Sequence, residues 1–269
     1  MGPTWFNVGT RAHPESQIVN CEVESLMAKP DYTSLNLPPP PPDRPYVIMN
    51  MVMSVDGKVV VEGTEQGIGS KVDQRLMREL RVNADVVLNG ANTLRASGTS
   101  SRLGDEILEQ IRASRGKPRY PVAAVISASG DLPTDKIFFT ARDFPAVIYL
   151  SKRAPAARRK ALQATGRPVV LVSAASAMVD MLRHMRANLN ADVLLVEGGP
   201  TVNAQLFQEG LVDELFLTIG PVIVGGRLTK TPVTGELPFT RRTLPHMELV
   251  WAIPNNETNE LYCRYRVQH

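Results

Sequence analysis

Short apolar segments alternate with helix-like segments along most of this chain, and this alternation limits the possible folds more than any other feature. Tyr46–Ser54 and Ala84–Leu88 are near-continuous apolar runs, typical of strands that are buried on both faces. Between them, Ser70–Asp73 fits a capping box, and the apolar residues that follow are spaced as on a helix. This order predicts βαβ units and a mainly parallel sheet.

The same order recurs to residue 219 and then changes. Further strands are predicted at Pro121–Ile126, Ala146–Leu150, Pro168–Val172, Asp192–Val196 and Asp213–Ile219, and further helices at Pro155–Ala164, Ser176–Leu189 and Thr201–Glu209. Met247–Ile253 and Glu260–Val267 instead alternate apolar and polar residues around a Pro-Asn-Asn turn, which indicates an antiparallel hairpin. The sequence therefore predicts an α/β fold whose mixed, mostly parallel sheet is flanked by helices and ends in a C-terminal antiparallel hairpin.

The first 45 residues differ in texture from the rest. They have weak periodicity and contain five consecutive prolines, Pro38–Pro42, which form a stiff segment. We expect residues 1–45 to be an N-terminal extension with a proline-rich linker, lying on the domain or on a partner subunit, and residues 46–269 to be the domain. A proline-rich ligand for an adaptor domain is the alternative.

Composition excludes several classes of protein. The net charge is only +3, and the lysines and arginines are spread along the chain, so no nucleic-acid partner is expected. The mild surplus of positive charge suits an anionic small molecule. No apolar run approaches the roughly 18 residues of a membrane span. Cys21 and Cys263 are far apart and form no CxxC motif, which predicts a reducing, cytoplasmic setting. The four histidines lack metal-ligand spacing, so no metal is expected.

A glycine-rich turn carries the strongest local signal for chemistry. The apolar run Leu194–Val196 leads through Glu197 into Gly198 and Gly199, which let a ligand approach the backbone, and Pro200-Thr201 suit a helix start. Free amides at that helix terminus would bind the pyrophosphate of a dinucleotide. An ordinary tight strand-to-helix turn is the alternative.

Two neighbouring features point to the same edge of the predicted sheet. Glu197 ends a buried strand where α/β sheets place ligands, and it would hold a substrate hydroxyl or amine, or else cap the turn. Asn89–Thr93 follows another buried strand and is either a second ligand-binding loop or a plain turn.

Taken together and in order, several motifs resemble a known family. They are Asn50 with Ser54-Val55-Asp56-Gly57-Lys58, Leu80-Arg81 with Ala84–Leu88, Gly90 and Thr93, Val196–Thr201, Leu211–Glu214, and Pro221–Gly226. The set spans Tyr46 to Val267 and resembles the pyrimidine reductases of riboflavin biosynthesis, which form the C-terminal domain of bifunctional deaminase/reductases.

The resemblance implies a dihydrofolate-reductase-like fold, a homodimer, NADPH as cofactor and a phosphorylated small-molecule substrate. The family reduces 5-amino-6-(5-phosphoribosylamino)uracil to its ribitylamino product, with hydride passing to C1′ of a ring-opened, imine-like sugar. The sequence has no zinc-deaminase motif, so deamination is expected from another enzyme.

Site residues follow from the resemblance and from position. The expected cofactor contacts are Val52, Gly67, Thr93, Ser127, Gly198, Gly199, Pro200, Thr201, Val202 and Asn203, with Lys152 and Arg153 placed after a strand to hold a 2′-phosphate. The expected substrate contacts are Ser54, Asp56, Arg81, Arg102 and Glu197. No catalytic acid is identifiable among them.

Three departures from the family's pattern leave the substrate open. Glu65 replaces a serine, Ala96–Thr99 replaces an aspartate pair and proline, and Arg102 is displaced from the family's arginine. A glutamate near a sugar phosphate is electrostatically unfavourable. The alternatives are an NADPH-dependent reductase for a pterin, a folate or another carbonyl compound, and a non-catalytic dinucleotide-binding protein.

Overall fold

Strands and helices alternate over residues 29–269, the part of the chain that the computed structural model describes. The strands are β1 Tyr46–Ser54, β2 Val86–Gly90, β3 Val122–Ser127, β4 Ala146–Ser151, β5 Val169–Val172, β6 Val193–Val196, β7 Glu214–Gly220, β8 His246–Asn255 and β9 Glu260–Gln268. The helices are α1 Lys71–Asn83, α2 Ala91–Ser97, α3 Glu106–Ser114, α4 Ile137–Thr140, α5 Ala156–Ala164, α6 Ala177–Leu189 and α7 Pro200–Gln208.

These strands form one sheet in the order β5-β4-β3-β2-β6-β1-β7-β9-β8. Strands β1 to β7 pair in parallel, whereas β9 is antiparallel to β7 and β8 is antiparallel to β9. The predicted mixed, mostly parallel sheet with a C-terminal antiparallel hairpin is confirmed.

Helices cover both faces of the sheet, which explains the near-continuous apolar strands. Alternate residues of β1 serve different cores: Val47 and Met49 pack with α6 and α7, whereas Tyr46 and Ile48 pack with α1. Because both faces are buried, both sets must be apolar.

Helix α1 begins as predicted at Ser70, but its cap is not the reciprocal box that the sequence suggested. The Ser70 hydroxyl accepts hydrogen bonds from the amides of Val72 and Asp73. The Ser70 amide donates to Glu260 of β9 at 2.6 Å, so a distant strand supplies the carboxylate that the box would take from Asp73. The cap therefore also fastens α1 to the C-terminal hairpin.

The segment Asn89–Thr93 is neither a loop nor a plain turn. Asn89 and Gly90 complete β2, and α2 begins at Ala91. Both sequence-based interpretations of its structure were wrong, because they missed a helix of seven residues that starts directly from the strand.

The described part of the N-terminal extension packs on the domain. Tyr32 is buried and contacts Phe216 edge-on, with ring centroids 5.1 Å apart, and stacks on Trp251 at 5.8 Å. Lys29 pairs with Glu79 of α1 at 2.8 Å.

His13 and Cys21 lie outside the described residues, so the predicted absence of a disulfide to the buried Cys263 stays a prediction. Between residues 29 and 269, no helix is long and apolar enough to cross a membrane.

Asp73, on the first turn of α1, is a buried carboxyl near a second acid. Its pKa is raised to about 6, mainly by burial and also by the nearby Glu260 carboxylate, against the opposing effect of the hydrogen bond with Thr218. A carboxyl whose pKa is higher in the folded than in the unfolded chain stabilises the fold below the unfolded pKa, and this contribution is lost as the pH rises through the folded pKa.

We therefore predict that Asp73→Asn raises the free energy of unfolding by about 1–3 kcal/mol at pH 7.5 and changes it little at pH 4. The exposed Asp135→Asn is the matched control and should change stability at neither pH. Urea unfolding at the two pH values measures the difference. A loss of stability at pH 7.5 in the Asp73 variant would contradict the prediction.

Candidate active site

A cavity of about 810 Å³ opens at the carboxyl ends of the parallel strands. It is lined by the end of β2, by Ile126 and Ser127 of β3, by Ser151 of β4 and by the residues that follow β6. Its volume lies at the upper end of the roughly 300–1,000 Å³ of ligand sites. This is the edge at which α/β sheets bind ligands.

Two strand-to-helix turns meet at the floor of this cavity. The Gly90 amide donates to the Gly198 carbonyl at 2.8 Å, and a Cβ atom on Gly90 would lie 2.9 Å from Val202 and 3.3 Å from the Gly199 nitrogen. Gly198 has φ +89°, and its bond to Gly199 is cis. A side chain at Gly90 would force the two turns apart, so the glycine is required by close approach.

The first turn of α7 lines the cavity, and its Thr201 and Val202 amides have no hydrogen-bond partner among residues 29–269. The helix has Pro200 in its first turn, and Asn203 N makes an early helical hydrogen bond, to Gly199 O at 3.1 Å. The Thr201 and Val202 amides precede that bond and have no partner within the helix. Both residues line the cavity beside Thr93. Such amides, with the helix dipole, attract a phosphate group.

A buried ion pair forms another part of the cavity wall. Arg81, in the last turn of α1, donates from Nε and Nη2 to the two Glu197 carboxylate oxygens at 2.6 and 2.8 Å. Its Nη1 donates to the Arg102 carbonyl at 2.5 Å. The side chains of Arg81 and Glu197 are only 10% and 8% exposed. The two hydrogen bonds therefore fix the orientation of both side chains in the cavity wall.

Arg112 of α3 holds the end of α1 behind this pair. From within the core, its Nη1 donates to the carbonyls of Arg81, Val82 and Ala84, and its Nε donates to Pro118 O at 2.9 Å. Burial lowers its pKa to about 10. It satisfies carbonyls that a helix end leaves unpaired, so the backbone that carries Arg81 is fixed.

Most of the residues expected to contact a cofactor lie together. The structure brings Val52, Thr93, Ser127, Gly198, Gly199, Pro200, Thr201 and Val202 into the cavity lining. Four others are outside that lining: Gly67, Asn203, Lys152 and Arg153. Asn203 is buried and donates to Pro232 O at 2.8 Å, whereas Lys152 and Arg153 are exposed after β4. The roles of all twelve residues in cofactor binding stay predictions.

The expected substrate contacts divide in the same way. Arg81 and Glu197 line the cavity, whereas Ser54, Asp56 and Arg102 do not. Asp56 accepts hydrogen bonds from Ser54 Oγ and from the amides of Val224 and Gly225, which hold the pKa of its carboxyl well below its usual range. It thereby ties the segment after β1 to the segment after β7.

The Arg102 side chain turns to the surface, where Nε and Nη2 both bind Asp143 at 2.7 Å. Arg102 is connected to the cavity only through its backbone carbonyl, which accepts a hydrogen bond from the cavity-lining Arg81. Glu65 lines the cavity, as do Ser97 and Thr99 of the replaced segment.

Sequence reasoning missed several residues of the lining. They are Met77, Arg95, Gln205, Lys230 and most of the segment from Val59 to Thr64. Arg95 is on the helix that was not predicted, and Lys230 is in an irregular segment between β7 and β8 without periodicity. Among residues 29–269, no three His, Cys, Asp or Glu side chains are grouped as a metal site requires.

Comparison with known proteins gives a consistent result. The family model described as the RibD C-terminal domain matches residues 45–252. A relative from Methanothermobacter thermautotrophicus, named 2,5-diamino-6-ribosylamino-4(3H)-pyrimidinone 5′-phosphate reductase, is 34% identical over 196 residues, which are 72% of this chain and 85% of that protein.

Solved structures share the fold. A pyrimidine reductase-like protein from Corynebacterium diphtheriae superposes with a TM-score of 0.74 at 20% identity, over 84% of this chain and 93% of that one. A Thermotoga maritima protein, described as a diaminohydroxyphosphoribosylaminopyrimidine deaminase and 5-amino-6-(5-phosphoribosylamino)uracil reductase, has a TM-score of 0.64 at 19% identity, over 84% of this chain and 57% of that one. The chain therefore has the fold of these pyrimidine reductases, as the resemblance implied.

The buried pair yields a stability prediction. Arg81→Met leaves Glu197 as an uncompensated buried carboxylate, so the free energy of unfolding at pH 7.5 should fall by about 3 kcal/mol. Glu197→Gln should cost a similar amount. The double variant should lose less than the sum of the two, because it contains no isolated charge. Strictly additive losses in urea unfolding would show that the side chains do not interact.

Proposed function

This chain belongs to the RibD C-terminal domain family, and from that premise we propose that it reduces a phosphoribosylamino-pyrimidine of riboflavin biosynthesis with NADPH. It is an oxidoreductase of this pathway. One observation carries the assignment of its site: a single cavity joins the amide-rich start of α7 to the oriented Arg81–Glu197 pair.

The residues present fit a dinucleotide. Gly198 and Gly199 let the backbone come close to a ligand, and a Cβ atom at Gly199 would lie 3.2 Å from Thr93 Oγ1, in the space between α2 and α7. The first-turn amides of α7 would hold the pyrophosphate. Thr93 and Ser127 add hydroxyl groups to the same wall.

Bound NADPH would supply a hydride to C1′ of the sugar; the bond between C1′ and the ring oxygen would break, and that oxygen would take up one proton. The protein's contribution is to place donor and acceptor together. Val52 of β1 lines the same cavity and would pack against the bound cofactor. Arg81 and Glu197 would orient the substrate without rearranging, because each already holds the other.

The identity of the pyrimidine ring is the finer part of the proposal. The Methanothermobacter relative is named for a pyrimidinone with two amino groups, whereas the Thermotoga protein is named for the deaminated uracil. We favour the uracil, 5-amino-6-(5-phosphoribosylamino)uracil. The two compounds differ in the ring substituent at C2, which is a donor in one and an acceptor in the other.

We predict that the purified chain oxidises NADPH with a phosphoribosylamino-pyrimidine and not with dihydrofolate. The two pyrimidines should be assayed side by side, with kcat/KM at least about fivefold higher for the uracil, because a mismatched buried donor or acceptor costs more than about 1 kcal/mol. Preference for the diamino compound would reverse the ring assignment. Turnover of dihydrofolate alone would overturn the proposed function.

A second copy of the chain is the proposed partner. Strand β8 is an edge of the sheet, and Met247, Leu249 and Val250 on it are exposed, as is the nearby Leu244. An exposed apolar edge strand needs a cover to avoid aggregation. A homodimer through this strand would supply it.

Light scattering at micromolar concentration should therefore give twice the 29.5 kDa of the chain. Leu249→Glu should shift the mass towards the monomer, because it places a charge in the apolar contact. Ile107→Glu, on the exposed face of α3, is the control and should remain dimeric. A monomer mass for the unmodified protein would refute the proposal.

A further inference from the structure

Three cationic side chains line the cavity, and two of them are already held. Arg81 is bound to Glu197. Arg95 donates to Asn92 Oδ1 at 2.6 Å and to the Asp131 carbonyl at 2.7 Å. The third is Lys230, whose amine has no hydrogen bond or ion pair with any residue from 29 to 269. Lys230 therefore offers a full positive charge that the fold itself does not use.

The backbone of Lys230 is fixed from two sides. Its carbonyl accepts from the Val59 amide at 3.0 Å, and Val59 also lines the cavity. Just after it, the chain crosses the start of α7: Thr234 N donates to Pro200 O at 3.2 Å, and Asn203 Nδ2 donates to Pro232 O. Lys230 thus lies on a segment anchored to the helix whose free amides face the cavity.

We infer that Lys230 binds the pyrophosphate of the dinucleotide, together with the first-turn amides of α7; this inference rests on the proposed function. A pyrophosphate carries two negative charges, whereas a helix terminus provides about half a positive charge. A lysine amine is a strong partner for phosphate oxygens and adapts to either phosphate through its flexible stem.

The substrate also has a phosphate, and the position of Lys230 favours the cofactor. Its segment contacts α7 and the chain after β1, whereas Arg81, an expected substrate contact, is on α1. Binding of NADPH alone and the KM for the substrate separate the two sources.

The test is a fluorescence titration of NADPH in the absence of substrate. Lys230→Ala should raise the Kd about tenfold, and Lys230→Arg should stay within about threefold of the unmodified protein. Arg227→Ala is the matched control: it removes an exposed cation three residues earlier that does not line the cavity, and it should leave the Kd unchanged. The Kd of Lys230→Ala should also depend less steeply on salt. At saturating NADPH, its KM for the pyrimidine should be unchanged.

An unchanged NADPH Kd in Lys230→Ala would overturn the inference while leaving the proposed function intact. An unchanged Kd with a raised KM would also overturn it, and would assign Lys230 to the substrate phosphate. Equal losses in Lys230→Ala and Arg227→Ala would overturn it too, because general surface charge would then explain the effect. If the unmodified protein bound no NADPH, the proposed function would fail as well. Thermal melts of all three variants verify that they are folded.

Discussion

The site depends on the close approach of two strand-to-helix turns from neighbouring strands. Strands β2 and β6 are adjacent in the sheet, so the turns that follow them leave the same edge side by side. The Gly90 amide bonds to the Gly198 carbonyl, and no side chain fits between them. This contact sets α2 and α7 next to each other and creates a floor of backbone. An anionic ligand can therefore come within hydrogen-bonding distance of the backbone amides in this floor.

The Arg81–Glu197 pair connects this floor to the other half of the cavity. Glu197 directly precedes the glycine turn, and Arg81 lies in the last turn of α1, whose last carbonyls accept hydrogen bonds from the buried Arg112. A buried ion pair is weak support for stability compared with apolar packing. Its value here is geometric: it fixes a polar wall on rigid elements, which is how a protein keeps an acceptor aligned with a hydride donor.

Most of the fold could be predicted because both faces of the parallel strands are buried, and this leaves unbroken apolar runs between helices. The start of α2 could not, because Asn89-Gly90 has the composition of a turn and the bond that orders it comes from Gly198, over a hundred residues later. Sequence reasoning placed Arg81 and Glu197 in the site but not against each other, since spacing along the chain gives no side-chain distance. Lys230 was missed because its segment has no periodicity.

Transfer of the hydride itself tests the account most directly. NADPH deuterated at the transferring position of the nicotinamide should be incubated with the protein and 5-amino-6-(5-phosphoribosylamino)uracil, and the pyrimidine product analysed by mass spectrometry and NMR. The account predicts a ribitylamino product that is one mass unit heavier, with the deuterium at C1′. Product without deuterium, or deuterium at another carbon, would contradict direct transfer between two ligands held in this cavity.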